Sequence, residues 1–160
     1  MLMLIPLYSQ SHMHAPGDVE KSLEDSLKRL GLEYVDLYLM HWPIAFERTE
    51  DYKPKTYPGT MDPYLKREIP VLDIELTVNH EPTWRAMEGL VRAGKTKHIG
   101  VSNFSIKRLK LVLEYARIKP MVNQVELHPY LPQKDLLAFS KQNDILLQAH
   151  CPLGGQVQVA

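Results

Sequence analysis

The sequence contains a single cysteine, Cys151, so no internal disulfide can form, and a reducing compartment, the cytoplasm by default, is the expected setting. It has no surplus of charge either. Lys and Arg number 19, Asp and Glu number 19, and the formal net charge is zero, which leaves no electrostatic footprint for nucleic acid or an anionic membrane surface. There is no long apolar run: Met1 to Tyr8 is apolar but short and lacks a basic leader, so it is read as a strand and not as a signal or a membrane span. Nucleic acid and membrane are therefore not expected partners. Gly-x-Gly-x-x-Gly, Gly-x-x-x-x-Gly-Lys-Ser/Thr and Gly-x-Ser-x-Gly are all missing, so neither standard phosphate-cradling loop nor a serine nucleophile elbow is present. His12 and His14 have no cysteine or carboxylate set to complete a metal site, and no metal is expected. Cys151 next to His150 in sequence is not by itself a nucleophile and base pair, although a thiol at a helix N-terminus would be a reactive one.

What is present is a regular alternation of strand and helix. Pro16-Gly17-Asp18 opens a helix with Asp18 as expected N-cap, Val19, Leu23, Leu27 and Leu30 recur on one face, and Gly31 closes it. Tyr34 to Met40 follows as an apolar run without clean alternation, as in a strand buried on both faces, and it stops at His41-Trp42-Pro43. From Ile44 to Pro82 periodicity disappears in favour of Pro, Lys, Asp and Tyr, which predicts a long loop, 44–82, over the strand ends. Thr83 is the expected cap of a helix carrying Trp84, Met87, Leu90 and Val91 and ending at Gly94. His98 to Val101 is a strand, and Ser105 caps a third helix with Ile106, Leu109, Val112 and Leu113 inward and Lys107, Arg108 and Lys110 in solvent. Met121 to Leu127 is a strand, Lys134 to Gln142 a helix with Leu136, Leu137 and Phe139 apolar, and Ile145 to Ala149 the last strand. Each helix returns the chain to start another strand in the same direction, so the sheet is parallel.

In parallel α/β folds the carboxyl ends of the strands form the reactive rim. Those ends here carry His41 with Trp42, Ser102 with Asn103, Gln124 with Glu126, and His150 with Cys151. Singly, each is ordinary: a histidine after a strand is more often structural, and Ser-Asn before a helix is capping chemistry. Together, adjacent junctions of one sheet can build a polar cluster able to hold a carboxamide or a carbonyl.

Three stretches, Leu30 to Pro43, Gly94 to Phe104 and Asn123 to Tyr130, are similar in order and content to motifs of the aldo-keto reductases, and the resemblance runs from about His14 to Gly155. It implies a (β/α)8 TIM barrel that binds NADPH along its rim and reduces small aldehydes or ketones by hydride transfer. Carried over, His41 is the catalytic histidine that orients the carbonyl and Trp42 a wall of the substrate pocket. Ser102, Asn103 and Gln124 hold the nicotinamide carboxamide, and His150, Cys151 and Leu153 stand in the segment that lies along the cofactor.

The sequence also departs from the family pattern. The proton-donating tyrosine and its aspartate map before the first residue, no lysine occurs before Lys21, and Tyr8 does not sit in the matching motif. His150-Cys151-Pro152-Leu153-Gly154 replaces Tyr-Ser-Pro-Leu-Gly, so a histidine takes the place of the aromatic that stacks on the nicotinamide, and the segment that grips the 2′-phosphate would lie past Ala160. A barrel of this kind needs about 250 residues. The expectation is therefore an α/β chain forming an incomplete barrel of four to five parallel strands, a single partial domain over 1–160, weak or inactive as it stands and a truncated product or gene-model fragment. Its edge strands would invite self-association. The alternatives are a non-catalytic dinucleotide-binding or regulatory module and a non-functional fragment.

Overall fold

The structure, a computed structural model, describes residues 6–64 and 66–154. The apolar start therefore lies outside the described residues as far as Ile5, and continues as β1 (Pro6–Ser9). A single 3-10 turn (Ser11–Met13) leads to α1 (Pro16–Leu30) and β2 (Val35–Met40). Then come β3 (Ala45–Phe46), β4 (Thr56–Met61), β5 (Glu68–Pro70), β6 (Leu72–Asp73), α2 (Ile74–Val78) and α3 (Glu81–Arg92). The chain continues through β7 (Thr96–Ser102), α4 (Ile106–Tyr115), β8 (Val122–Glu126), α5 (Lys134–Gln142) and β9 (Leu146–His150).

Strands β1, β2, β7, β8 and β9 lie side by side in that order, all parallel. One face of the sheet receives the helices: Val19, Leu23 and Leu27 of α1, Trp84, Met87 and Leu90 of α3, and Leu109 and Val112 of α4 pack with Tyr38, Met40, Ile99 and Val101. The opposite face carries a second apolar cluster of Leu37, Leu39 and Val122. β2 contributes to both, because successive side chains of a strand point to opposite faces, and this is why its sequence shows no alternation. α1 ends as predicted, with Gly31 at φ 66° and its N–H donating to Lys28 O at 3.3 Å.

The helix starts differ from expectation for a common reason. α1 is capped at Ala15, with Pro16 in its first turn, and Asp18 is instead buried and takes two hydrogen bonds from the Arg48 guanidinium. α3 is capped at His80, and Thr83 is buried with its hydroxyl donating to His14 O at 2.6 Å. Both polar side chains are drawn away from local capping into bonds between elements. Leu30, expected on the same face as Val19, Leu23 and Leu27, is exposed at 51%. The interval 44–82 is also more ordered than its sequence predicts. β3 pairs with β6 and β4 with β5, both antiparallel, and Asp73 caps α2 by accepting from Leu76 N at 2.9 Å.

The central register depends on Gly100. A Cβ there would stand 2.6 Å from Val122 O and 2.7 Å from Leu39 Cδ2, so β7 can approach β8 this closely only without a side chain. Gly100→Ala is expected to lower unfolding stability by about 1–3 kcal/mol through overpacking against backbone. A urea midpoint equal to that of the unsubstituted chain would show that β8 can move aside.

Candidate active site

The β7–β8 register sets Ser102 opposite Gln124 at the carboxyl end of the sheet. The Ser102 hydroxyl donates to Gln124 O at 2.9 Å, and the backbone N–H of Asn103 donates to the same carbonyl at 2.8 Å. Asn103 sits at φ 64°, a left-handed conformation that Asn adopts more readily than most residues. That turn swings its side chain back across the rim, where Nδ2 donates to His41 O at 2.9 Å and to Ser102 Oγ at 3.2 Å. With both N–H groups of the amide committed, what Asn103 offers a ligand is its acceptor, Oδ1. Gln124 in turn donates from Nε2 to Gln148 Oε1 at 2.9 Å. Below this layer Asn123 is buried and spent on structure, with Nδ2 donating to Phe104 O at 2.8 Å and Oδ1 accepting from Phe104 N at 3.3 Å.

His41 is half-buried beside this strap, its ring centroid 6.0 Å from that of Trp42. Burial, reinforced by His150 across the rim, holds its imidazole below the ordinary histidine range, so it is neutral at pH 7. His41 and Trp42 open onto a cavity of about 530 Å³. Gln10, Ser11 and His12 form one wall and Phe46, Thr56, Arg67 and Glu68 the other, so the interval 44–82 encloses the space next to His41. It is held against α1 by the Arg48–Asp18 ion pair, with Arg48 stacked 4.3 Å from the centre of the Tyr52 ring.

The structure thus brings together His41, Trp42, Ser102, Asn103 and Gln124. His150 lies on the same rim and is exposed. Cys151 is half-buried at φ 52°, and no helix begins there among the described residues. Leu153 is 97% exposed. Gln148 was missed from sequence, although it stands two positions before His150 and so on the same face of β9. The cavity wall from 44–82 and from Gln10 to His12 was also not assigned. Among the described residues no group of three or more His, Cys, Asp or Glu side chains is placed to hold a metal ion, and no helix is long and apolar enough to cross a membrane.

Comparison with known proteins follows the same lines. Residues 5–158 match the family model described as the Aldo/keto reductase family. A glycerol 2-dehydrogenase (NADP(+)) from Hypocrea jecorina is 48% identical over 149 residues, covering 93% of this chain and 44% of that protein. The solved aldose reductase of Giardia lamblia superposes with a TM-score of 0.81 at 37% identity, over 94% of this chain and 46% of that one. A Bombyx mori aldo-keto reductase solved in complex with NADP gives a TM-score of 0.72 at 28% identity, over 92% of this chain and 41% of that one. The five-stranded parallel sheet is part of the (β/α)8 fold of these neighbours. The chain spans less than half the length of each of these relatives.

Behind the rim, burial drives His14 down to about 4, with His80, His41 and His12 adding unfavourable charge. An unfolded histidine binds its proton near pH 6.5, so between pH 6.5 and 4 the unfolded state holds the extra proton and stability falls with pH. His14 is expected to account for about 3 kcal/mol of this loss at most, complete below pH 4. Urea unfolding at pH 7, 5.5 and 4 checks it: the acid-side slope should shrink in His14→Gln, and an unchanged slope would assign the loss elsewhere.

Proposed function

Because the chain belongs to the aldo/keto reductase family, we propose that it carries the carbonyl-orienting and nicotinamide-holding part of an NADP-dependent oxidoreductase that reduces small aldehydes or ketones. The observation that supports this best is the strap linking Ser102, Asn103 and Gln124 to the backbone of His41, next to a cavity that His41 and Trp42 line. When bound, NADPH supplies the hydride. Asn103 Oδ1 would accept from the carboxamide N–H, while Ser102 and Gln124 complete the polar edge that fixes which face of the ring looks into the cavity. His150, Cys151 and Leu153 would lie alongside the ring, with the imidazole as a small stacking surface.

Neutral His41 can donate one N–H to the carbonyl oxygen as negative charge develops on it, and Trp42 shields that oxygen from water. Lone Cys151 suits a reducing, cytoplasmic setting. β1 and β9 each pair on one side only among the described residues, so self-association of the isolated chain through these edges belongs to the same proposal.

A second reading is a dinucleotide-binding module without turnover.

NADPH titration followed by an aldehyde assay separates the two readings. Trp42 is 45% exposed at the cavity whereas Trp84 is fully buried, so quenching reports on the rim. NADPH should quench at micromolar concentration and Asn103→Ala should weaken the binding. Benzaldehyde reduction should fall by about 10² to 10⁴ in His41→Phe with NADPH binding kept. Quenching with no reduction by the unsubstituted chain would favour the non-catalytic module, and no quenching would overturn both.

A further inference from the structure

We infer that Gln148 is a positioning residue for Gln124, the side chain whose hydrogen bond holds the Gln124 amide at the cofactor edge; this rests on the reading of Gln124 as part of the carboxamide site. The two residues are directly opposed in the parallel β8–β9 ladder. The backbone of Gln124 is already fixed. It lies in a strand paired on both sides, and its carbonyl accepts from both Ser102 Oγ and Asn103 N.

The ladder holds the backbone, while the terminal amide has oxygen and nitrogen ends nearly equal in size and opposite in hydrogen-bonding sense. Gln148 Oε1 takes the Gln124 Nε2–H at 2.9 Å, so the two amides are coupled: reversing one breaks the bond unless the other reverses with it. Gln124 is 7% exposed and Gln148 half-buried, so water competes poorly for the bond. Gln148 itself touches no reacting atom in this arrangement, and its effect on the cofactor passes through Gln124.

This predicts coupling, which a merely structural role for Gln148 would not produce. NADPH is titrated into the 160-residue chain with tryptophan fluorescence as readout, and thermal unfolding of each variant is recorded alongside. Gln148→Met should raise the NADPH Kd about fivefold with little change in Tm, Gln124→Met should raise it at least as much, and the double variant should bind no worse than Gln124→Met alone. Gln148→Glu, which keeps an acceptor oxygen opposite Nε2, should stay within about twofold of the unsubstituted chain.

Independent losses that multiply in the double variant, or unchanged binding in Gln148→Met, would overturn the positioning role and leave the cofactor reading standing. Absence of NADPH binding by the unsubstituted chain would remove the cofactor reading and the inference with it. A measurement free of mutant folding is available on the unsubstituted chain. The side-chain amide resonances of Gln124 and Gln148 should shift together on addition of NADPH, and a shift of Gln124 alone would count against the coupling.

Discussion

Close contact between β7 and β8 at Gly100 is the constraint on which the candidate site depends. With the Cβ position of Gly100 only 2.6 Å from Val122 O, the two backbones meet where any other residue would push them apart. That approach fixes the register that sets Val101 opposite Asn123 and Ser102 opposite Gln124. A slip by one residue would turn every side chain of β8 to the other face. The buried Asn123 and the rim-facing Gln124 would exchange places, and the polar strap would be lost while the apolar core kept much of its composition.

Much of this could be read in the sequence, because burial leaves a periodic record. α1, α3 and α4 show their inward residues at helical spacing, and β2 shows its two-sided burial as an uninterrupted apolar run. The polar residues at the strand ends were legible for a different reason. A parallel sheet gathers all its strand ends on one rim, so topology alone brings Ser102, Asn103 and Gln124 near His41. The partners of those residues were harder to read. Nothing in a list of residues says that Asp18 will leave its own helix to meet Arg48, or that Gln148 will lie opposite Gln124, since both contacts are made between distant segments. The β4–β5 hairpin left no pattern for another reason. Nearly every residue of β4 is exposed, so there is no inward face for the sequence to mark with apolar side chains.

Asp18, Arg48 and Tyr52 give the interval 44–82 its function in the architecture. A segment with few apolar residues to bury cannot hold itself against the sheet by hydrophobic packing alone. A bidentate guanidinium–carboxylate pair, partly shielded by the Tyr52 ring, supplies a directional anchor instead. The loss of Asp18 as a helix cap is the cost of that anchor. Two features keep it small: Pro16 removes one of the orphan N–H groups of the first turn, and the N–H of Asp18 donates to Ala15 O at 2.8 Å.

The histidines complete the electrostatic picture. His12, His14, His41 and His80 all have their proton affinity lowered, in each case chiefly by burial. Their neutrality at pH 7 means that the region behind the rim carries no repulsive positive cluster. Under the proposed function it also means that His41 would meet an incoming oxygen as a dipole and not as a cation. A neutral donor binds the ground-state carbonyl weakly and gains strength as charge builds on the oxygen, which favours the transition state over the substrate. The same burial makes the region sensitive to acid, since protonating one histidine raises the electrostatic cost of protonating the next. The proposed role of His41 at neutral pH and the expected loss of stability in acid therefore have one physical origin, the withdrawal of these imidazoles from water.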